Sequence, residues 1–156
     1  MKKYLLDFFK YNDWANKKVL EAIREVPEKE DALKLFSHLV NSLDKWKNRI
    51  TNEVEDSLLN WYGQFFNMDE IESKWNKSIG WWIKLLEKTG DSELEKEIIF
   101  TRPNDGIKMA VKFRDLLLQL NYHSIHHRAQ INSIISRQGI KPPSTDYILT
   151  VLKEVS

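Results

Sequence analysis

The sequence predicts an all-α four-helix bundle, and three observations carry that prediction. Four long stretches repeat apolar residues at steps of three and four, the period of one helix face. Helix breakers are scarce, with five Gly and four Pro in 156 residues, and most fall between those stretches. Hydrophobic residues at 42% and charged residues at 30% describe a chain that buries a core rather than a disordered tail. At roughly 150 residues per domain, the length predicts a single domain over residues 1–156.

The first helix places Tyr4, Phe8, Tyr11, Ala15, Val19, Ala22 and Val26 on one face and ends near Pro27. The second is expected from about Asp31 to Glu53, striped by Phe36, Leu39, Leu43, Trp46 and Ile50. A loop around Asn60 to Asn67 precedes the third helix, Asp69 to Lys88, whose inward face is Ile71, Trp75, Ile79, Trp82, Ile83 and Leu86. Residues 93–112 change character. Two short β-prone runs flank Arg102-Pro103-Asn104-Asp105-Gly106, which predicts a small hairpin or an irregular crossover. The fourth helix runs from about Phe113 to Gln138, with Gly139 as its cap and Pro142-Pro143 beyond. A short C-terminal helix from Thr145 or Asp146 to Val155 is expected to cover one end.

Composition removes several classes of function. Twenty-four basic against 23 acidic residues give a net charge of +1, with no cluster of Lys/Arg and interleaved aromatics to bind nucleic acid. Cys is absent, which excludes disulfides and thiolate metal sites, so any metal is held by nitrogen or oxygen. The opening run Met1 to Lys10 imitates a signal peptide, but Asp7 and Lys10 interrupt it, and no stretch approaches ~18 apolar residues. A soluble cytoplasmic protein without a membrane partner is the expectation.

Chemistry concentrates in the histidines. Three of the four lie in His123-Ser124-Ile125-His126-His127, and residues four apart in a helix share a face. At ~100° per residue, His127 lies about 30° from the centre of its helix's apolar stripe, His123 about 70° and His126 about 130°. His123 and His127 are therefore the inward pair, able to chelate one ion, and His126 faces solvent. His38 lies at roughly 120° from its own stripe, a flank position suited to a cleft-edge site. The ordinary alternative stays open, because such pairs arise by chance and lack the flanking Glu of more specific zinc motifs.

Other segments carry a resemblance. Tyr11-Asn12-Asp13-Trp14-Ala15-Asn16 is similar to the Y-N-x-W-A-N opening of the DinB family of damage-inducible proteins. Leu35-Phe36-Ser37-His38-Leu39 with Trp46 resembles that family's second-helix His and later Trp. His123 to Gln130 resembles its H-x-x-H-H-R-G-Q segment, with Ala129 in place of Gly. Pro142 to Tyr147 resembles its P-x-x-D-Y-I close. The resemblance implies an up-down-down-up bundle, often dimeric, with a divalent metal on His38, His123 and His127. Zinc, nickel and iron are all compatible with imidazole ligands.

Three nitrogens leave a coordination position open, the pattern of a catalytic metal. Families related to the one resembled activate a low-molecular-weight thiol for transfer to an electrophile, or are described as metal-dependent hydrolases. The competing reading is a dimeric interaction module whose metal is structural or vestigial. No carboxylate is singled out as a general base. Asn41 and Ser42 are candidate cleft groups, though ordinary helix surface is the preferred reading. Tyr11, Asn12 and Trp14 are candidates to line the cleft or to join the core, and Arg128 to tie its helix to an acid such as Asp13. Leu118, Tyr122 and Ile125 share an outward face, to be covered by the same chain or by a second copy in a homodimer.

Overall fold

The computed structural model describes residues 1–102 and 104–155. Its helices are α1 (Lys2–Glu25), α2 (Glu30–Thr51), α3 (Ile71–Lys88) and α4 (Phe113–Arg137), with strands β1 (Glu97–Thr101) and β2 (Lys108–Lys112) between the last two. Pro27 holds Val26 extended and stops α1. Glu30 and Asp31 place negative charge in the first turn of α2, and Asn52 closes it in the left-handed conformation. Gly139, at φ 80°, turns the chain away after α4.

Contacts between named residues give the direction of each helix. Phe9 meets Trp82 while Arg24 meets Glu72, so α1 and α3 are antiparallel. Phe8 meets Tyr122 and Asn16 meets Arg128, so α1 and α4 run together. Phe36 against Trp75 and Leu43 against Trp82 make α2 and α3 parallel. The bundle is thus up-down-down-up. Trp75 and Trp82, both fully buried, satisfy their indole N–H groups on Asp13 and the Leu43 carbonyl.

Parallel α2 and α3 require a long return, and residues 52–70 supply it along the flank of α2. An irregular segment packed on a helix needs partners for its backbone polar groups. A row of α2 side chains provides them. Asn48 exchanges two hydrogen bonds with Val54, Lys45 donates to the carbonyls of Asp56 and Leu59, and Asn41 donates to the Gln64 carbonyl. The Phe66 N–H donates to Ser37. Arg49 forks onto the Asp56 carboxylate at 3.0 and 3.1 Å.

Several expectations are corrected. Tyr4 is exposed, whereas Leu5, Phe9, Leu20 and Ile23 are buried, because α1 packs against α3 and α4 at once and buries a wider arc. Of the two forms expected for residues 93–112, the hairpin is the one found, pairing Glu97 with Lys112 and Thr101 with Lys108 after a 3₁₀ turn at Glu93–Glu95; Pro103 of the expected turn lies outside the described residues, as does Ser156. The C-terminal helix is reduced to a single 3₁₀ turn, Tyr147–Thr150, none of it buried, whose Tyr147 meets Tyr11 edge-on at 5.2 Å. Leu118 and Ile125 are half-buried against α1 residues Phe8, Tyr11 and Ala15, so their own chain covers much of that face.

Candidate metal centre

The α2–α4 contact sets the site. These helices are antiparallel, which brings His38, early in α2, level with His123 and His127, midway along α4. One ring nitrogen from each lies within 4.8 Å of the others. The Nε2 atoms of His38 and His123 are 3.0 Å apart, and the three ring centroids are 4.4 to 4.9 Å from one another. His126 is exposed on the outer side of α4, as the helix geometry predicts.

Two of the rings are oriented from behind. His38 Nδ1 lies 2.8 Å from the Trp61 carbonyl, which can only accept, so Nδ1 carries the proton and Nε2 keeps its lone pair. His127 Nδ1 sits 2.6 Å from Gln130 Oε1, which fixes it the same way. Such partners are what metal-ligating histidines use to lock tautomer and ring direction. Tyr62 stacks on His38 at 4.1 Å between centroids and 8° between planes.

The donor set fits a divalent ion. Bonds of ~2.0–2.1 Å in a tetrahedral shell separate neighbouring nitrogens by roughly 3.3 Å, close to the 3.0 Å between His38 and His123. The rings are also held neutral, the form a metal requires. Burial lowers the pKa of His38 and of His127. His123 is lowered to about 4, by burial first and then by the adjacent imidazoles of His127, His38 and His126.

The flank assignment of His38 needs revision. It is only 5% exposed, because the 52–70 segment forms a second cover over the side of α2 that the apolar stripe does not mark. Asn41 and Ser42 are buried as well, contrary to the surface reading. Ser42 Oγ donates to the His38 carbonyl at 2.7 Å and lies 3.4 Å from His123 Nε2. Tyr11 and Asn12 are buried at the α1–α4 contact rather than along a cleft, and Trp14 is half-buried beside them. Arg128 does not meet Asp13. It donates to Asn12, Asn16 and the Tyr11 hydroxyl, which in turn donates to the Thr145 carbonyl. Sequence reasoning missed Lys45, Trp61 and Tyr62; the basic and aromatic density of Lys45-Trp46-Lys47 and Trp61-Tyr62 was the available signal.

A cleft of about 630 Å³ touches only His38 of the three histidines, between α2 and residues 62–65. A smaller pocket of about 270 Å³ touches both His38 and His123 and therefore borders the centre itself. Among the described residues, no helix is long and apolar enough to cross a membrane. No curated protein and no solved structure matches the chain. The DinB family model matches residues 1–154, spanning all four helices and the three histidines. The chain belongs to the DinB family.

Proposed function

We propose that this protein is a divalent-metal-dependent enzyme in which His38, His123 and His127 hold zinc, nickel or iron. The reading is a transferase that joins a low-molecular-weight thiol to an electrophile, with hydrolysis as the variant in which water replaces the thiol. The observation that carries it is convergence beside a pocket. Three neutral imidazoles meet, two of them locked from behind, and a 270 Å³ space opens next to His38 and His123. A purely structural site is closed on all sides.

A divalent ion bound there supplies Lewis acidity that brings the pKa of a thiol or water toward neutrality. The chain does the rest. Ser42 spends its proton on the His38 carbonyl, so its oxygen lone pairs are free to accept a hydrogen bond from an incoming S–H or O–H. Because the chain has no Cys, the thiol is a cosubstrate. We place the reaction in the cytoplasm. A second copy pairing over Tyr4 and Tyr122, which are 55% and 56% exposed beside the Leu118–Ile125 face, completes the reading.

Metal analysis of the purified protein, followed by screening of small thiols against a chromogenic electrophile and of ester substrates, tests the function. About one ion per chain together with turnover supports it. Full metal content with neither activity would favour the structural-metal module instead.

A further inference from the structure

The pocket beside the histidines differs in kind from the larger cleft. Its walls are the indoles of Trp46 and Trp61, with Leu120 between the histidine side and the bundle and Gln119 exposed at the mouth. Among the described residues, no Lys, Arg, Asp or Glu lines it. The larger cleft has the paired Lys34 and Glu30 on its rim.

The two indoles are braced from outside the pocket. The Arg49 guanidinium lies 4.5 Å from the Trp46 ring and 5.2 Å from that of Trp61, and Lys45 Nζ is 5.2 Å from Trp61. Phe100 of β1 meets Trp46 edge-on at 5.1 Å. Both cations are anchored on Asp56. Walls supported in this way keep a cavity open instead of collapsing into it.

Taking the proposed metal site as given, we infer that this pocket receives an uncharged aromatic or alkyl group of the substrate, attached to the atom presented to the histidines. Volume sets the size. A cavity of roughly 150 Å³ accommodates benzene, so about 270 Å³ takes a substituted phenyl or a small bicyclic group. Charged groups are disfavoured, because among the described residues the lining carries no Lys, Arg, Asp or Glu of opposite charge. The group that enters is neutral and hydrophobic rather than a carboxylate, a phosphate or a sugar ring.

Benzyl alcohol added to protein without metal tests the pocket on its own. It should shift the indole N–H resonances of Trp46 and Trp61 saturably, with those signals assigned through Trp→Phe variants. Cobalt(II)-loaded protein then tests the link to the centre. Benzyl mercaptan should perturb the cobalt absorption at roughly ten-fold lower concentration than 2-mercaptoethanol, the gain expected from burying part of a phenyl ring. Trp61→Ala removes a wall but keeps the residue 61 carbonyl that orients His38, so the preference should vanish while cobalt stoichiometry stays. Gln119→Trp, at an exposed helix position, should block the mouth if the first variant folds poorly. Equal affinity for the two thiols, or indole shifts confined to other tryptophans, overturns the inference. Absence of cobalt uptake would overturn the metal reading alone, with the benzyl alcohol result still deciding the pocket.

Discussion

Asp56→Asn is the most informative single change, because one carboxylate holds two buried cations and, through them, the segment that orients His38. The side chains of Lys45 and Arg49 are 3% and 4% exposed, and that of Asp56 is 26% exposed. Burial by itself raises the Asp56 pKa, yet its bonds to Arg49 and Lys45 hold it below the usual carboxylate value, so charge pairing outweighs desolvation. Removing one partner of a buried pair typically costs 3–5 kcal/mol, and the partial exposure of Asp56 reduces this to about 2–3 kcal/mol. For a chain of this size that is a fall in Tm of roughly 5–10 °C. The loosened segment also withdraws the Trp61 carbonyl from His38, which should weaken metal binding by about 10- to 100-fold. Urea unfolding and competitive metal titration read the two effects. Asp7→Asn is the control, since the exposed Lys3–Asp7 pair should leave stability nearly unchanged. If Asp56→Asn matches that control in both assays, the clamp does not hold the loop and the reasoning fails.

Four further outcomes follow from the same geometry. His127→Ala should abolish most metal uptake while His126→Ala leaves it intact; equal losses would refute the assignment of the inward face. Uptake should persist somewhat below the ordinary ~6.5, because burial lowers all three imidazoles, and should be lost by the value of about 4 that His123 reaches. Without metal, the unfolded histidines bind protons that the folded ones refuse, so stability should decrease as pH drops from ~6.5 toward about 4; a flat stability profile there would contradict the shifts. Leu118→Glu places a charge against Phe8 and Tyr11, so it should lower Tm as well as any dimer content in sedimentation; an unchanged Tm would mean that this contact contributes little within the chain.

The bundle was legible because each long helix has an apolar face, and the His123/His127 pair because two residues of one helix are related by its pitch alone. His38 was legible as a family motif but misplaced on the wheel. A wheel measures the angle to the helix–helix core and knows nothing of a loop folded over another side. The same loop explains Asn41, Ser42 and Lys45. Polar residues on a helix flank look like surface unless the irregular chain they satisfy is known, and 19 residues without periodicity carry no such signal. The C-terminal helix failed for a related reason. Ile148, Leu149, Val151 and Leu152 supply apolar content, but the structure offers no surface to bury them.

Arg128, the residue after His127, is a buried cation whose influence on the centre its own substitution tests. The side chain is 3% exposed, follows His127 in the chain, and is satisfied by Asn12, Asn16 and Tyr11, all neutral. Burial without a carboxylate lowers its pKa, but from so high a starting point that it stays a cation. The histidine donors add no negative charge to offset it. Arg128 follows a proposed ligand in the chain, and the positive potential of a buried cation favours an anion nearby, a thiolate over a thiol or hydroxide over water. Arg128→Met keeps the length and apolar stem while removing the charge and three hydrogen bonds, which should cost about 2–4 kcal/mol of stability. Among molecules that still fold, cobalt-bound protein should show a higher apparent pKa for uptake of 2-mercaptoethanol as its thiolate. A thiol-uptake pH profile identical to wild type would leave Arg128 as a tie between α1 and α4 and nothing more.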